Sequence, residues 1–338
     1  MFAFTKEQTD IAINTCKFAS SRHANQGFEC VLINADSEKN TVTLTAGDSI
    51  VETVQVIQCD VELSLTAVVN AAKFSQSIAA CKTPSIFIKD QLTVKSGRRV
   101  FNIQTISPES YPAYPEPIKE NEIDISPADL ISAIKTVAFS ASKNDVRYVL
   151  NGVFIGSEAV ATNGHRLCIH PLGLSKDAII SIEAVSKIPT DIEGKVYLSN
   201  NILSIISSDH SFKSKLIDGK YVPYQKIVPT EFKSTVTVNR EDFIDAVKAA
   251  KINSPESGNV FFKFGKESEI KSRSGKNEDA VIGFDCESTS EFEIGFNSSY
   301  LIDALSMLTL ESIDMKFTDS QLYVEQAGVI NLISMVRI

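Results

Sequence analysis

Two places in the sequence hold residues that could do chemistry. His165 and His170 flank Cys168, and imidazole with thiolate is a donor set that suits zinc. The wider pattern does not support a centre. The six cysteines, at positions 16, 30, 59, 81, 168 and 286, form no CxxC pair, and only four histidines (His23, His165, His170, His210) are available. The cysteines read as reduced cytosolic thiols, and no metal is expected. Asp209 beside His210 has the look of a general base, but no nucleophile stands with it. Neither a phosphate-cradling P-loop nor a serine elbow occurs. No catalytic residue and no cofactor are expected, and the chain does not read as an enzyme.

The elements around these residues point elsewhere. With 338 residues the chain is too long for one ordinary core and suits two or three domains. A hydrophobic content of 43% is ample for them. No apolar run is long enough for a membrane span, and the opening MFAFTKEQTDIAI lacks the basic and apolar regions of a signal peptide. A cytoplasmic protein is expected. Its net charge of -9 argues against coating nucleic acid, although DNA could still be held in a locally basic channel beneath an acidic exterior.

One pattern occurs three times. Alternating apolar residues lead to a capping residue and then an amphipathic helix. Phe2 and Phe4 precede TKEQTDIAINTCKFAS from Thr5; Ile123 and Ile125 precede SPADLISAIKTVAFSAS from Ser126; Val236 and Val238 precede NREDFIDAVKAAKINS from Asn239. Thr5 with Gln8 fits a capping box. Ser126 followed by Pro127 suits a helix start, and Asn239 is followed by acidic Glu241 and Asp242 at the positive helix end. The pairs Ile13/Cys16, Ile134/Val137 and Val247/Ala250 fall on matching positions of one apolar face.

A second helix is expected in each repeat: AAKFSQSIAACK from Ala71, EAVSKIPTDI from Glu183 and SSYLIDALSML from Ser298. A hairpin follows each, in IFIKDQLTV (86–94), VYLSNNILSI (196–205) and MKFTDSQLYV (315–324). Starting points recur roughly every 110–120 residues. The proline-rich YPAYPEPIKENE (111–122) and IVPTEFKS (227–234) read as linkers, giving domains at 1–117, 123–230 and 233–338. The fold class is α+β, with antiparallel sheets because the strand connections are short.

Five segments carry a family resemblance: SGRRVFNIQTISPESYP (96–112), VRYVLNGVF (146–154), ATNGHRL (161–167), SKLIDGKYVPY (214–224) and EIGFNSSYLIDAL (293–305). Through them the chain resembles the bacterial beta sliding clamp, the beta subunit of DNA polymerase III, over nearly its whole length. The resemblance implies three repeated DNA-clamp domains, with helices lining a central hole, antiparallel sheets outside and a head-to-tail ring of two subunits. It implies a processivity subunit without catalytic site, localised with the nucleoid. Implied partners are double-stranded DNA, a second copy of the chain, the clamp loader, the replicative polymerase alpha subunit, and other polymerases or repair proteins carrying clamp-binding peptides. Twelve close-packed lining helices would leave a hole of about 28 Å, wider than a DNA duplex, whereas six would leave about 9 Å.

The basic residues expected to face DNA are Lys6, Lys17, Arg22, Lys73, Lys135, Lys143, Arg147, Lys187, Lys248 and Lys251. The resemblance bears most directly on Arg22, Lys73, Asn144 and Tyr148. A sliding ring needs phosphate attraction without base readout. Glu183 and Ala184 depart from a segment that is usually basic in the family; Lys187, one turn later, is a candidate to compensate, and local DNA attraction is expected to be weaker there than in relatives.

The peptide pocket implied by the resemblance comprises Leu150, Thr162, Gly164, His165, Arg166, Leu167, Val222, Lys226, Ile227, Leu332, Ser334, Met335 and Val336. An apolar groove with sparse polar anchors suits short peptides. Lys226 stands where an arginine is usual, and the ending Ser334-Met335-Val336-Arg337-Ile338 departs from the usual tail. Candidate interface residues are Ile78, Phe87 and Arg98 on the first domain, with Ile302 and Leu305, in segment 296–305, on the third.

Overall fold

A computed structural model describes the chain apart from residues 21–25, 113, 276–277 and 338. It is an α+β fold with repeated helix–sheet modules, and its sheets are antiparallel throughout the described strands. Two compact units form: Met1–Ile131 with Glu183–Asp218, and Ser132–Ile182 with Gly219–Ile338.

The first helices start where the capping chemistry dictates. Helix α1 (Lys6–Cys16) opens with a complete Thr5–Gln8 capping box. Helix α2 (Ala71–Ala79) is capped by Asn70, whose side chain accepts from the Lys73 amide. Helix α3 (Pro127–Ala138) begins after Ser126, whose hydroxyl accepts from the Asp129 amide at 3.0 Å. The second helix of the central repeat, α4 (Ile182–Val185), is a single turn. The longer helix expected from Glu183 does not form, and Pro189 explains part of this by denying an amide and disfavouring helix at Ile188. Helices α5 (Arg240–Lys251) and α6 (Ser298–Ser306) are capped by Asn239 and Asn297, each side chain accepting two amides.

In the first unit a nine-stranded sheet includes Cys30–Asp36, Thr41–Gly47 and Val51–Gln58 and continues into His210–Lys215, Ile202–Ile206 and Lys195–Leu198. The join pairs His210 with Gln55 and Ser214 with Val51. A four-stranded sheet ends at strand Arg99–Ile103. Phe74, Ile33, Leu44, Ile78 and Ile86 are fully buried in one core.

The second unit repeats the plan. A nine-stranded sheet runs through Glu158–Thr162 and Arg166–Pro171 into Val329–Ser334 and Gln321–Gln326. The join pairs Arg166 with Ile333 and Leu167 with Leu332. A four-stranded sheet ends at strand Asp279–Gly283. Phe262, Phe264, Phe296 and Phe317 form the centre of this core, with Phe264 and Phe317 ring centres 5.3 Å apart. The central repeat is thus divided between units because its strands pair outward with those of both other repeats. The three hairpins expected at 86–94, 196–205 and 315–324 form in register, as Ile88↔Leu92, Leu198↔Leu203 and Phe317↔Leu322.

Gly194 shows how tightly one such hairpin is entered. Its φ is +110°, and a Cβ there would collide with the carbonyl of Ile206 across the ladder. Gly194→Ala is expected to cost about 1–3 kcal/mol from the dihedral alone. A lower urea midpoint at unchanged slope is the expected result.

Candidate DNA-facing and peptide-binding sites

His170 and Cys168 sit on strand Arg166–Pro171, and Cys168 is buried, which pushes its thiol up to about 12. Among the described residues no group of three or more His, Cys, Asp or Glu could hold a metal ion. Burial lowers the His210 pKa, and its Nε2 lies 3.1 Å from the Thr53 hydroxyl. Thr53 is 1% exposed, so that hydroxyl cannot meet a substrate.

The basic residues divide by what holds them. Lys6 and Lys17 stand exposed at the two ends of α1, Lys73 on α2, and Lys248 and Lys251 on the last turn of α5. Lys135 is half-buried on α3. Lys143, Asn144, Arg147 and Tyr148 are exposed in or beside the turn that precedes strand Gly152–Ile155. Arg22 lies outside the described residues. No carboxylate among the described residues pairs with Lys6, Lys73, Lys143 or Lys251, whereas Lys248 pairs with Asp245 at 3.1 Å. Arg147 makes a forked pair with Asp145, whose carboxyl it holds at about 2.

Lys187 corrects an expectation. Its ammonium turns to the 2%-exposed side chain of Asp48 at 2.5 Å, with Glu183 at 3.7 Å. Burial works against the Asp48 carboxylate, but Lys187 and the amides of Val51 and Ile50 together hold it below the usual range. A cation committed in this way cannot compensate for Glu183 as a phosphate contact.

Several expected pocket residues are brought together by the second unit's sheet. Leu167 and Leu332 are ladder partners, and the Ser334 amide donates to the His165 carbonyl at 2.8 Å. Gly164, at φ +88°, allows the sharp turn between the strands. Met335 and Val336 continue along this edge, their amides donating to Ser320 and Gly295 carbonyls. Leu150 is buried beneath the preceding loop, where its carbonyl accepts from the Ser142 amide. Val222 lies between Tyr221 and Tyr224, which pack on Phe154 with ring centres 5.4 and 6.1 Å away. Lys226 and Ile227 are exposed on the turn Tyr224–Ile227.

Two sets of residues fall differently from their expected roles. The Arg147 guanidinium reaches Gly164, where a Cβ would be 3.0 Å from Nη2. Arg147 therefore borders the expected pocket turn, although its sequence context suggested only DNA. Ile78 and Leu305 are 0% exposed within their own cores, so neither offers a surface to another chain. Phe87 and Ile302 are half-buried and Arg98 exposed. Phe139, Tyr300 and Asp303 surround the expected pocket turn and Asn163 lies within it, although none of the four is among the expected pocket residues. Only Asn163 left a sequence signal, as an Asx residue before Gly164.

Residues 124–223 match the family model for the DNA polymerase III beta subunit, central domain, and residues 225–328 match that for its C-terminal domain. The chain belongs to the beta sliding clamp family. It is 29% identical over 249 residues to the beta sliding clamp of Escherichia coli strain K12, covering 68% of each chain. It is 27% identical over 319 residues to that of Staphylococcus epidermidis, covering 84% of each. The fold agrees along its length with crystal structures of the DNA polymerase sliding clamp from Pseudomonas aeruginosa (TM-score 0.90, 22% identity, 100% of both chains) and the beta subunit from Streptococcus pyogenes DNA polymerase (TM-score 0.91, 22% identity, 100% of both chains). Clamp-family folding thus accounts for the repeated modules and for the strand joins on both sides of the central repeat.

Proposed function

We propose that this chain is the protomer of a DNA sliding clamp, with clamp domains at 1–117, 123–230 and 233–338. Two copies close head to tail into a ring around duplex DNA and tether polymerases and repair proteins to it. The protein performs no catalytic step. Its site of action is the cytoplasm, on the nucleoid, and no helix among the described residues is long and apolar enough to cross a membrane.

The observation that carries the ring is a pair of open sheet edges. Strands Arg99–Ile103 and Asp279–Gly283 each end a four-stranded sheet. Val100 is 53% exposed on the first and Val281 55% on the second. Exposed edges with apolar residues invite pairing, and joining unlike edges in a two-fold arrangement closes a dimer. Phe87, Arg98 and Ile302 stay candidates for this interface.

Lys6, Lys17, Lys73, Lys135, Lys143, Lys248 and Lys251, with Asn144 and Tyr148, are assigned to the DNA-facing surface. The pocket residues take short peptides with large apolar side chains, half-buried Val222 and exposed Ile227 supplying contact area. Light scattering over a dilution series tests the assembly. The protomer mass is 37.0 kDa, so a persistent species of about 74 kDa is expected. A monomer at micromolar concentration would overturn the ring and favour a homologue that binds proteins without encircling DNA.

A further inference from the structure

Four residues assigned to the pocket, Thr162, Gly164, His165 and Arg166, lie in one turn. Much of its shape is internal. The Thr162 hydroxyl donates to the Arg166 carbonyl at 2.6 Å and accepts from the Gly164 amide at 3.0 Å. The Asn163 side-chain Oδ1 accepts the amides of His165 and Arg166 at 2.9 and 3.0 Å. These bonds set the turn's conformation without fixing its position on the unit.

Two side chains tie the turn to α6. Asn163 Nδ2 donates to the Tyr300 hydroxyl at 3.1 Å. Arg166 directs its guanidinium inward, where the side chain is only 12% exposed, and Nη1 meets Asp303 Oδ2 at 2.6 Å. Nη2 donates to the Phe139 carbonyl. The guanidinium carbon lies 4.6 Å from the Tyr300 ring centre and 5.1 Å from that of Phe139. Tyr300 and Asp303 are three residues apart on a helix and so share a face. A planar fork held between two rings and a carboxylate suits arginine, and a lysine cannot reproduce it. Arg166 Nε is buried with no acceptor, and the two named Nη bonds go to Asp303 and Phe139.

We infer that Tyr300 and Asp303 are positioning residues for peptide recognition: acting through Arg166 and Asn163, they hold the Thr162–Arg166 turn where the peptide meets it. Arg166 is the strut through which α6 holds the turn. This assignment rests on the pocket reading above. Holding a turn in its bound shape before binding strengthens affinity by lowering the ordering cost.

The test uses a fluorescein-labelled pentapeptide ending in leucine and phenylalanine, read by fluorescence anisotropy on the full chain. Asp303→Asn and Arg166→Lys are each expected to weaken binding about tenfold, with Asp303→Glu returning it to within about threefold of the unmodified protein. Binding by Asp303→Asn within twofold of the unmodified protein, or no recovery with Asp303→Glu, would overturn the strut. Hydrogen exchange without peptide gives an independent readout. The amides of Gly164, His165 and Arg166 should exchange at least about tenfold faster in Asp303→Asn, while those of α5 keep their rates. Unchanged exchange in the turn would overturn the strut whatever the peptide does. Ile227→Asp tests the pocket itself: equal peptide binding with and without it would sink the pocket reading, while the exchange result still decides the strut.

Discussion

Lys213→Met is expected to lower the stability of the first unit by about 3–5 kcal/mol at neutral pH, the usual cost of leaving a buried ion without its partner. Lys213 is 1% exposed in strand His210–Lys215, with its ammonium 3.3 Å from Glu52, itself 4% exposed, and 2.6 Å from Glu116. Glu52 also accepts the Tyr114 amide at 2.9 Å. Burial raises the Glu52 carboxyl above its ordinary range, and the Tyr114 amide and Lys213 offset only part of that effect. Removing Lys213 removes one of the groups opposing the rise.

The pH dependence follows from this direction. A carboxyl raised in the folded state favours folding while protonated, at pH below its unfolded pKa of about 4.3, and that contribution disappears as pH climbs through the folded value. The deficit of Lys213→Met relative to the unmodified protein is therefore small near pH 4 and grows to its full size by neutrality. Lys213→Met combined with Glu52→Gln leaves no unpaired buried charge and should recover most of the loss. Urea titrations of these three proteins at several pH values measure this. An equal deficit at all pH values would contradict the role given to Glu52.

Val100→Pro or Val281→Pro is expected to weaken ring closure about a hundredfold. Gly97, at φ +58°, opens a two-residue turn before Arg99. Ser96 and Arg99 then form the hydrogen-bonded pair, and Val100 turns its amide away from its own sheet. The Ser274–Glu278 and Phe284–Ser268 backbone bonds set the same alternation on the other edge, so Val281 also turns outward. Proline there removes an outward donor and leaves the internal ladder intact. A two-fold dimer feels each change at both interfaces, so about 1.4 kcal/mol at each gives a hundredfold. The expected species is 37.0 kDa at concentrations where the unmodified chain is a dimer, with an unchanged thermal transition. A dimer undiminished in both variants would remove these edges from the interface.

Local chemistry made much of the fold legible. Thr5, Ser126 and Asn239 announce helix starts because their side chains satisfy nearby amides, and the three hairpins declare themselves by apolar alternation around a polar turn. What escaped depends on distant partners. Lys213 looks like an ordinary surface lysine until Glu52 is brought beside it by the join between strands. Lys187 reads as a phosphate contact until Asp48 is placed against it. Ile78 and Leu305 occupy apolar helix positions, and amphipathicity alone cannot say whether an apolar face meets its own core or another subunit. The Thr162–Arg166 turn is legible in NGHR, but its ties to Tyr300 and Asp303 cross 137 residues of chain.

The most direct test of encirclement is retention on circular DNA. The protein is loaded with a clamp loader and ATP onto nicked plasmid, passed through gel filtration at high salt, and analysed again after the plasmid is cut once. Co-elution with the circle and release on linearisation are expected, because a topological link survives salt that screens phosphate attraction and ends when the duplex gains ends. Loss from the circle at high salt, or equal retention on circular and linear plasmid, would contradict a sliding ring.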